Sequence, residues 1–172
     1  MKRIGLVLVA CCFFALPAAR AQVGAYAEFT ASQLSAESSS WHYGSTFGAY
    51  YTAWHFPVLN FGIDARGSIL GTGGSSDPRK VYSGLAGPRV ILHLPILPLK
   101  PYAEGLVGVG HIDEGFGNTS STAFADGLAA GADLTFFPRL DWRVVEYSYI
   151  RLPGGINENA FSTGLVFRIP IP

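Results

Sequence analysis

After residue 21, apolar and polar residues alternate along most of the chain with the two-residue period of a β-strand, not the 3.6-residue period of a helix. The clearest stretch is Asn60–Leu70, NFGIDARGSIL. Phe61, Ile63 and Ala65 fall on one face, and Asp64, Arg66 and Ser68 fall on the other. Asp64 and Arg66 are opposite in sign and two residues apart, so they stand side by side behind an apolar wall. Seven further stretches repeat the pattern: Val23–Leu34, Thr46–His55, Lys80–His93, Pro101–His111, Phe124–Phe136, Leu140–Ile150 and Ala160–Ile169. Pro88 interrupts the fourth stretch, and because proline removes a ladder donor it predicts a bulge or an edge there. Asp126 is out of phase with its own stretch, which places it at a water-exposed end.

The connections between these stretches alternate in length. SAESSSWHYG, GTGGSSDPR, IDEGFGNTSSTA and RLPGGINEN are long and polar, whereas FPVL, LPILPLK and FPRL are short and mostly proline-bearing. Long connections on one side and tight turns on the other describe antiparallel strands running up and down, with an even strand count bringing both ends of the sheet to the turn side. Ten residues at about 3.3 Å each, tilted near 45°, rise about 23 Å, close to the apolar band of a membrane-spanning barrel. Aromatic residues collect near both strand ends: Trp54, Phe56, Phe136, Phe137 and Trp142 on the turn side, and Trp41, Tyr43, Phe47, Tyr82, Phe124 and Phe161 on the loop side. Amphipathic rings favour the headgroup level of a bilayer.

Composition sharpens the choice. The 172 residues are 49% hydrophobic and only 14% charged, against about 25% charged in an average soluble domain. No internal run reaches the roughly 18 apolar residues of a membrane-spanning helix. Met1–Ala21 has the plan of a secretory signal: Lys2 and Arg3, the apolar run Ile4–Pro17, and Ala19-Arg20-Ala21 as a small-x-small cleavage site. Leu8-Val9-Ala10-Cys11 has the form of a lipidation box, but the apolar run continues past it through Phe13, Phe14 and Leu16. The expected organisation is therefore a signal peptide over 1–21 and one barrel domain over 22–172. Both cysteines lie in the signal, so the remainder has no disulfide, thiol nucleophile or thiolate metal site. Removing Lys2, Arg3 and Arg20 with no acids moves the formal charge from zero to about −3, which disfavours nucleic acid as a partner.

The charges decide which face is inside. Glu28, Asp64, Arg66, Arg89, Glu104, Asp133, Glu146 and Arg168 all fall on the less apolar face, among Gly, Ser and Thr. A soluble barrel of the lipocalin kind would carry many Lys and Glu outside, and only Lys80 and Lys100 follow the signal. In a bilayer a mid-depth Arg or Lys facing lipid costs about 2–4 kcal/mol and an acid somewhat less, so eight would cost on the order of 15–25 kcal/mol. That exceeds the roughly 5–15 kcal/mol stability of a typical domain. These groups must point inward, as a paired network in the lumen.

The segment RVVEYSY (Arg143–Tyr149) and the closing AFSTGLVFRI (Ala160–Ile169), with Phe161, Gly164 and Phe167, resemble the seventh and eighth strands of outer-membrane barrels of the OmpA/OmpX type. The resemblance covers nearly the whole chain after the signal. It implies an all-β fold, an eight-stranded antiparallel up-and-down transmembrane β-barrel, in the outer membrane of a Gram-negative bacterium. Its partners would be outer-membrane lipid and the barrel-assembly machinery. The implied role is non-enzymatic, structural or surface-interacting through extracellular loops, with a charge-plugged lumen, since eight strands enclose just enough room for side chains. No cofactor and no metal is expected.

For a surface ligand the candidate loop residues are Trp41, His42, Tyr43, Asp113, Glu114, Phe116 and Asn157. The alternatives are a narrow pore, a soluble periplasmic lipocalin-like ligand-binding barrel, and a lipid A-modifying enzyme. An enzyme would need a nucleophile, a His base and an acid together at a strand end. Of His42, His55, His93 and His111, the best placed is His111, near Asp113 and Ser120–Ser121 and facing the lumen or the rim, although no His-x-Ser pair shares a strand face. Asp113-Glu114 points two adjacent acids in opposite directions and makes a poor cation site. GTGG at Gly71–Gly74 lacks the following helix of a phosphate loop.

Overall fold

The structure is a computed structural model that describes residues 22–35, 41–72, 79–94, 97–113 and 120–170. Eight strands close into a barrel: β1 (Gln22–Leu34), β2 (Trp41–His55), β3 (Leu59–Thr72), β4 (Lys80–Leu92), β5 (Leu99–Asp113), β6 (Ser120–Phe137), β7 (Leu140–Leu152) and β8 (Ile156–Pro170). Each strand pairs antiparallel with the next, and β1 closes on β8 from Gln22↔Pro170 to Leu34↔Glu158. Closure removes every free edge, which is the condition for a sheet to sit in hydrocarbon. No helix among the described residues is long and apolar enough to cross a membrane.

The sidedness expected of Asn60–Leu70 holds. Phe61, Ile63 and Ala65 face out, and Asp64, Arg66 and Ser68 are buried inside. The outer wall is predominantly apolar: Phe29, Ile63, Val107, Val109, Phe124, Leu128 and Leu165 are each more than half exposed. A water-soluble surface does not carry a contiguous patch of this size; a lipid-facing one does. Exposed rings cap the wall at both ends, with Trp54, Phe56, Phe136, Phe137 and Trp142 by the turns and Trp41, Tyr43 and Phe124 by the loops. Phe29 stacks on Tyr43 at 6.2 Å, and Phe136 meets Phe137 edge-on at 5.1 Å. The chain crosses the membrane as this barrel.

Several local expectations are corrected. Strands run further towards the loop side than alternation alone marks: β2 begins at Trp41 because the β1 register continues to Gln33↔Trp41, and β8 begins at Ile156. The β7–β8 connection is therefore short, a single turn at Pro153–Gly155, in which Gly154 and Gly155 take positive φ of 77° and 75° that a side chain would resist. Pro88 makes no bulge. It faces outward, and the β4–β5 register is the same before it (Ala86↔Val107) as after it (Arg89↔Glu104). The register shifts lie elsewhere: at Thr52/Trp54 on β2, at Thr135/Phe137 on β6, and where β7 meets β6 and β8 around Val144 and Val145.

Ala65 sits at mid-height of β3 on the outer wall, between Ala49 and Ala86. Ala65→Arg should lower the unfolding free energy of the refolded protein in lipid vesicles by about 2–4 kcal/mol, measured by urea titration. A change within error would place this face away from the acyl chains.

Candidate functional site: the charged lumen

Inward-pointing residues of β1, β3, β4, β5, β6 and β7 converge on one network. Arg66 donates from Nε to Asp64 Oδ1 at 3.1 Å, from Nη1 to Glu146 Oε1 at 2.5 Å, and from Nη2 to Glu104. Arg89 donates to Glu104 Oε1 at 2.7 Å and to Asp133 Oδ2 at 3.0 Å. Arg143 donates to Asp133 Oδ1 at 2.9 Å, to Glu146 Oε2 at 3.1 Å, and to Glu28. Each guanidinium thus bridges two or three carboxylates, and Glu104, Asp133 and Glu146 each join two arginines. All eight residues are buried. Three cations against five acids leave a formal excess of two negative charges.

Three tyrosines fill the space between the charges. The Tyr26 hydroxyl donates to Asp64 at 2.9 and 3.0 Å, and that of Tyr102 donates to Glu146 Oε2 at 2.5 Å. Arg89 lies between the rings of Tyr50 and Tyr102, at 4.3 and 3.8 Å from their centroids, and Arg143 lies between Tyr26 and Tyr102 at 4.2 and 4.7 Å. These are cation–π distances in a desolvated setting. The rings need room: a Cβ on Gly48 would stand 2.3 Å from the Tyr26 hydroxyl, so Tyr26 lies flat across β2 only because position 48 has no side chain.

The lumen is layered around this network. On the loop side of it, the Thr30 hydroxyl lies 2.8 Å from that of Thr46 and 2.9 Å from that of Ser162, and Thr46 lies 2.9 Å from Ser68. Beside and beyond that belt is an apolar plug of Leu34, Leu70, Val81, Leu85, Leu106, Ile112, Ala125, Ala129, Ile150 and Leu152. On the turn side, Asp141 is held by Lys100 Nζ at 3.2 Å and Arg168 Nε at 2.8 Å.

No family model matches this chain, and no curated protein does. Solved structures do match. Neisserial surface protein A is similar over 86% of this chain and 96% of its own, with a TM-score of 0.61 and 17% identity. Ail, the attachment invasion locus protein of Yersinia pestis, is similar over 87% of this chain and 98% of its own, with a TM-score of 0.51 and 16% identity. The fold is that of the eight-stranded outer-membrane barrels.

Seven of the eight lumen charges expected from the sequence meet in this barrel's network: Glu28, Asp64, Arg66, Arg89, Glu104, Asp133 and Glu146. Arg168 points inward as expected but belongs to the separate Asp141 cluster. The third network arginine is Arg143, which strict alternation puts on the face opposite Glu146. The β7 bulge inserts one residue between them, with Arg143↔Gly164 followed by Glu146↔Ser162, and turns both inward. Beyond the charge-plugged lumen expected from the sequence, the loop-side part of the barrel interior holds an apolar plug. Glu158 is a further inward carboxyl there that alternation from Ala160 onward did not reach.

Trp41, His42, Tyr43, Asp113 and Asn157 belong to strands, not loops, because pairing continues above the membrane band. His42 is fully buried inside, while Trp41 and Tyr43 stand on the outer wall. Glu114 and Phe116 lie outside the described residues. His111 faces outward, correcting the lumen placement: its Nδ1 is 2.6 Å from Thr122 Oγ1 and its ring 6.0 Å from that of Tyr82. Asp126 lies on the outer face, paired there with the exposed Arg151 near the β6–β7 loop-side end. Among the described residues, no group of three or more His, Cys, Asp or Glu is placed to hold a metal.

Arg89→Met leaves Glu104 and Asp133 each short of one partner in a dry interior. Urea unfolding in vesicles should show a loss of about 3–5 kcal/mol. Tyr26→Phe, which removes one hydroxyl from Asp64, should cost about 1.5–3 kcal/mol. The ordering Arg89→Met above Tyr26→Phe is the outcome expected, and the reverse would show that the arginine is not the anchor.

Proposed function

We propose that this chain is a small, non-enzymatic barrel of the bacterial outer membrane, closed to ion flow, that acts structurally or by contact through its outer end. The observation that supports this reading is the filled lumen. Guanidinium–carboxylate pairs, tyrosine rings, a hydroxyl belt and an apolar plug succeed one another along the axis. A hydrated ion would have to part charged pairs and then enter hydrocarbon.

In this reading residues 1–21 are a cleaved signal peptide. The short turns and both ends of the barrel face the periplasm, the long connections face outward, and the barrel-assembly machinery inserts the chain. Outer-membrane lipid is its constant partner. Contacts with another surface would be made by the exposed rings Trp41 and Tyr43 and by the polar segments between the strands on the loop side.

A lipid-modifying enzyme is the second reading. It has one observation in its favour, the His111–Thr122 pair on the outer wall with Asp113 two residues along the same face. A threonine hydroxyl against an imidazole that packs on Tyr82 fits an interfacial belt equally well.

Planar-bilayer recording of the refolded protein tests the closed state. The expected trace is flat for the unmodified protein. Steady single-channel steps would replace this reading with the narrow pore. Lipid A-containing vesicles incubated with the protein should release no fatty acid, and release abolished by His111→Gln would establish the enzyme.

A further inference from the structure

The turn-side mouth of the barrel has chemistry that a plugged structural barrel does not require. A cavity of about 180 Å³ opens there, lined by Lys100, Arg168 and Arg89, by His55 and His93, and by Asn60 among others. At about 30 Å³ per water, it has room for about six water volumes, enough for a small ion with part of its hydration. Two cations outside the network, Lys100 and Arg168, line it; Arg89 also reaches it but is held by Glu104 and Asp133, and both oxygens of Asp133 already accept from Arg89 and Arg143. The carboxylate behind the wall, Asp141, is shared by Lys100 and Arg168 through one oxygen, Oδ2. Two cations on one oxygen leave the pair with a net positive charge, and the Arg168 guanidinium keeps donors beyond the nitrogen nearest Asp141.

The side chains of this mouth stand on hydrogen-bonded strand ends and turns. Lys100 and Arg168 stand near the ends of β5 and β8, and Arg168 is anchored by its backbone N–H to Arg139 O at 2.8 Å. His55 closes β2, and the His93 backbone N–H donates to Val58 O at 2.7 Å, which ties the segment after β4 to the β2–β3 turn; both histidines line the cavity. The result is a group of basic side chains with an amide around a small chamber that the stacked Tyr50 and Arg89 also line. Arginine and lysine converging on one small volume, with imidazole and carboxamide groups beside them, form the donor set of an oxyanion site.

We propose that the turn-side mouth binds a small oxyanion of the phosphate type, with Lys100 and Arg168 as its principal partners and His55 and His93 at its edge. The binding does not depend on the membrane in which the barrel resides, so it stands or falls separately from the closed-channel reading.

Inorganic phosphate is titrated into the refolded protein in a neutral sugar detergent, at an ionic strength held constant with chloride. Phosphate should raise the melting temperature saturably. It should also shift the ring resonances of His55 and His93 and leave those of His111, on the outer wall at the opposite end, unmoved. Lys100→Gln and Arg168→Gln should each weaken the apparent affinity about tenfold, the loss of one charge-assisted hydrogen bond. Lys80→Gln, an exposed cation at the loop-side end, should leave it unchanged.

A response to free phosphate assigns the site to a soluble oxyanion. A response of the same two histidines only to nanodiscs containing phosphatidylglycerol assigns it to a lipid headgroup. An equal response to chloride, or undiminished binding in the Lys100→Gln/Arg168→Gln double variant, overturns the proposal. Should that double variant fail to refold, the histidine resonances of the unmodified protein decide alone, and their failure to move with either phosphate source overturns it.

Discussion

Everything in this barrel follows from the problem of placing three guanidiniums where no water reaches them. A closed eight-stranded sheet leaves its outer wall to hydrocarbon and its interior to side chains. Charges at the depth of the acyl chains cannot face lipid, so those of the lumen face one another. Arg66, Arg89 and Arg143 are each bridged to acids from other strands. The network therefore ties β1, β3, β4, β5, β6 and β7 together across the lumen as well as around it. A buried ion pair is not by itself stabilising compared with well-packed hydrocarbon. Once the arginines are present, though, each carboxylate becomes hard to remove, and the whole set behaves as one unit.

The interior is graded along its axis. Hydrocarbon fills the loop-side part, hydroxyls bridge the middle, ion pairs and tyrosines follow, and a basic mouth closes the turn side. The tyrosines make the tightest junction, because each offers a hydroxyl to a carboxylate or a face to a guanidinium. The plug and the network are separate barriers to an ion, one of low dielectric and one of fixed charge. The exposed rim is the part of the molecule free to vary without disturbing either.

Much of this could be read from residue spacing. The two-residue period of NFGIDARGSIL determines which side of β3 carries Asp64 and Arg66, and the scarcity of lysine shows that the other side does not meet water. Seven charges that gather in the network share that phase. Where the reading fell short, a local departure from the period was responsible. Arg143 was hidden by the extra residue in β7, with the three-residue spacing of Arg143 and Glu146 as the only sign. Trp41, His42 and Tyr43 read as loop in the sequence because pairing beyond the membrane needs no apolar alternation. The apolar plug was missed because Val81, Leu85, Leu106 and Ile112 look like lipid-facing residues until their phase is compared with that of the charges. The separation of Arg168 from the network depends on depth along the axis, which a face assignment does not contain.

The bulge in β7 divides that strand into two halves phased independently of each other. Loss of a single residue at Val144 or Val145 would leave Glu146, Ser148 and Ile150 facing inward while swinging Asp141 and Arg143 onto the acyl chains. The Asp133 carboxylate would lose one of its two arginines, and the basic mouth would lose the acid that keeps its cations apart. A one-residue change in chain length would thus rewire two clusters at once, which makes this short irregularity a hinge in the design of the whole interior.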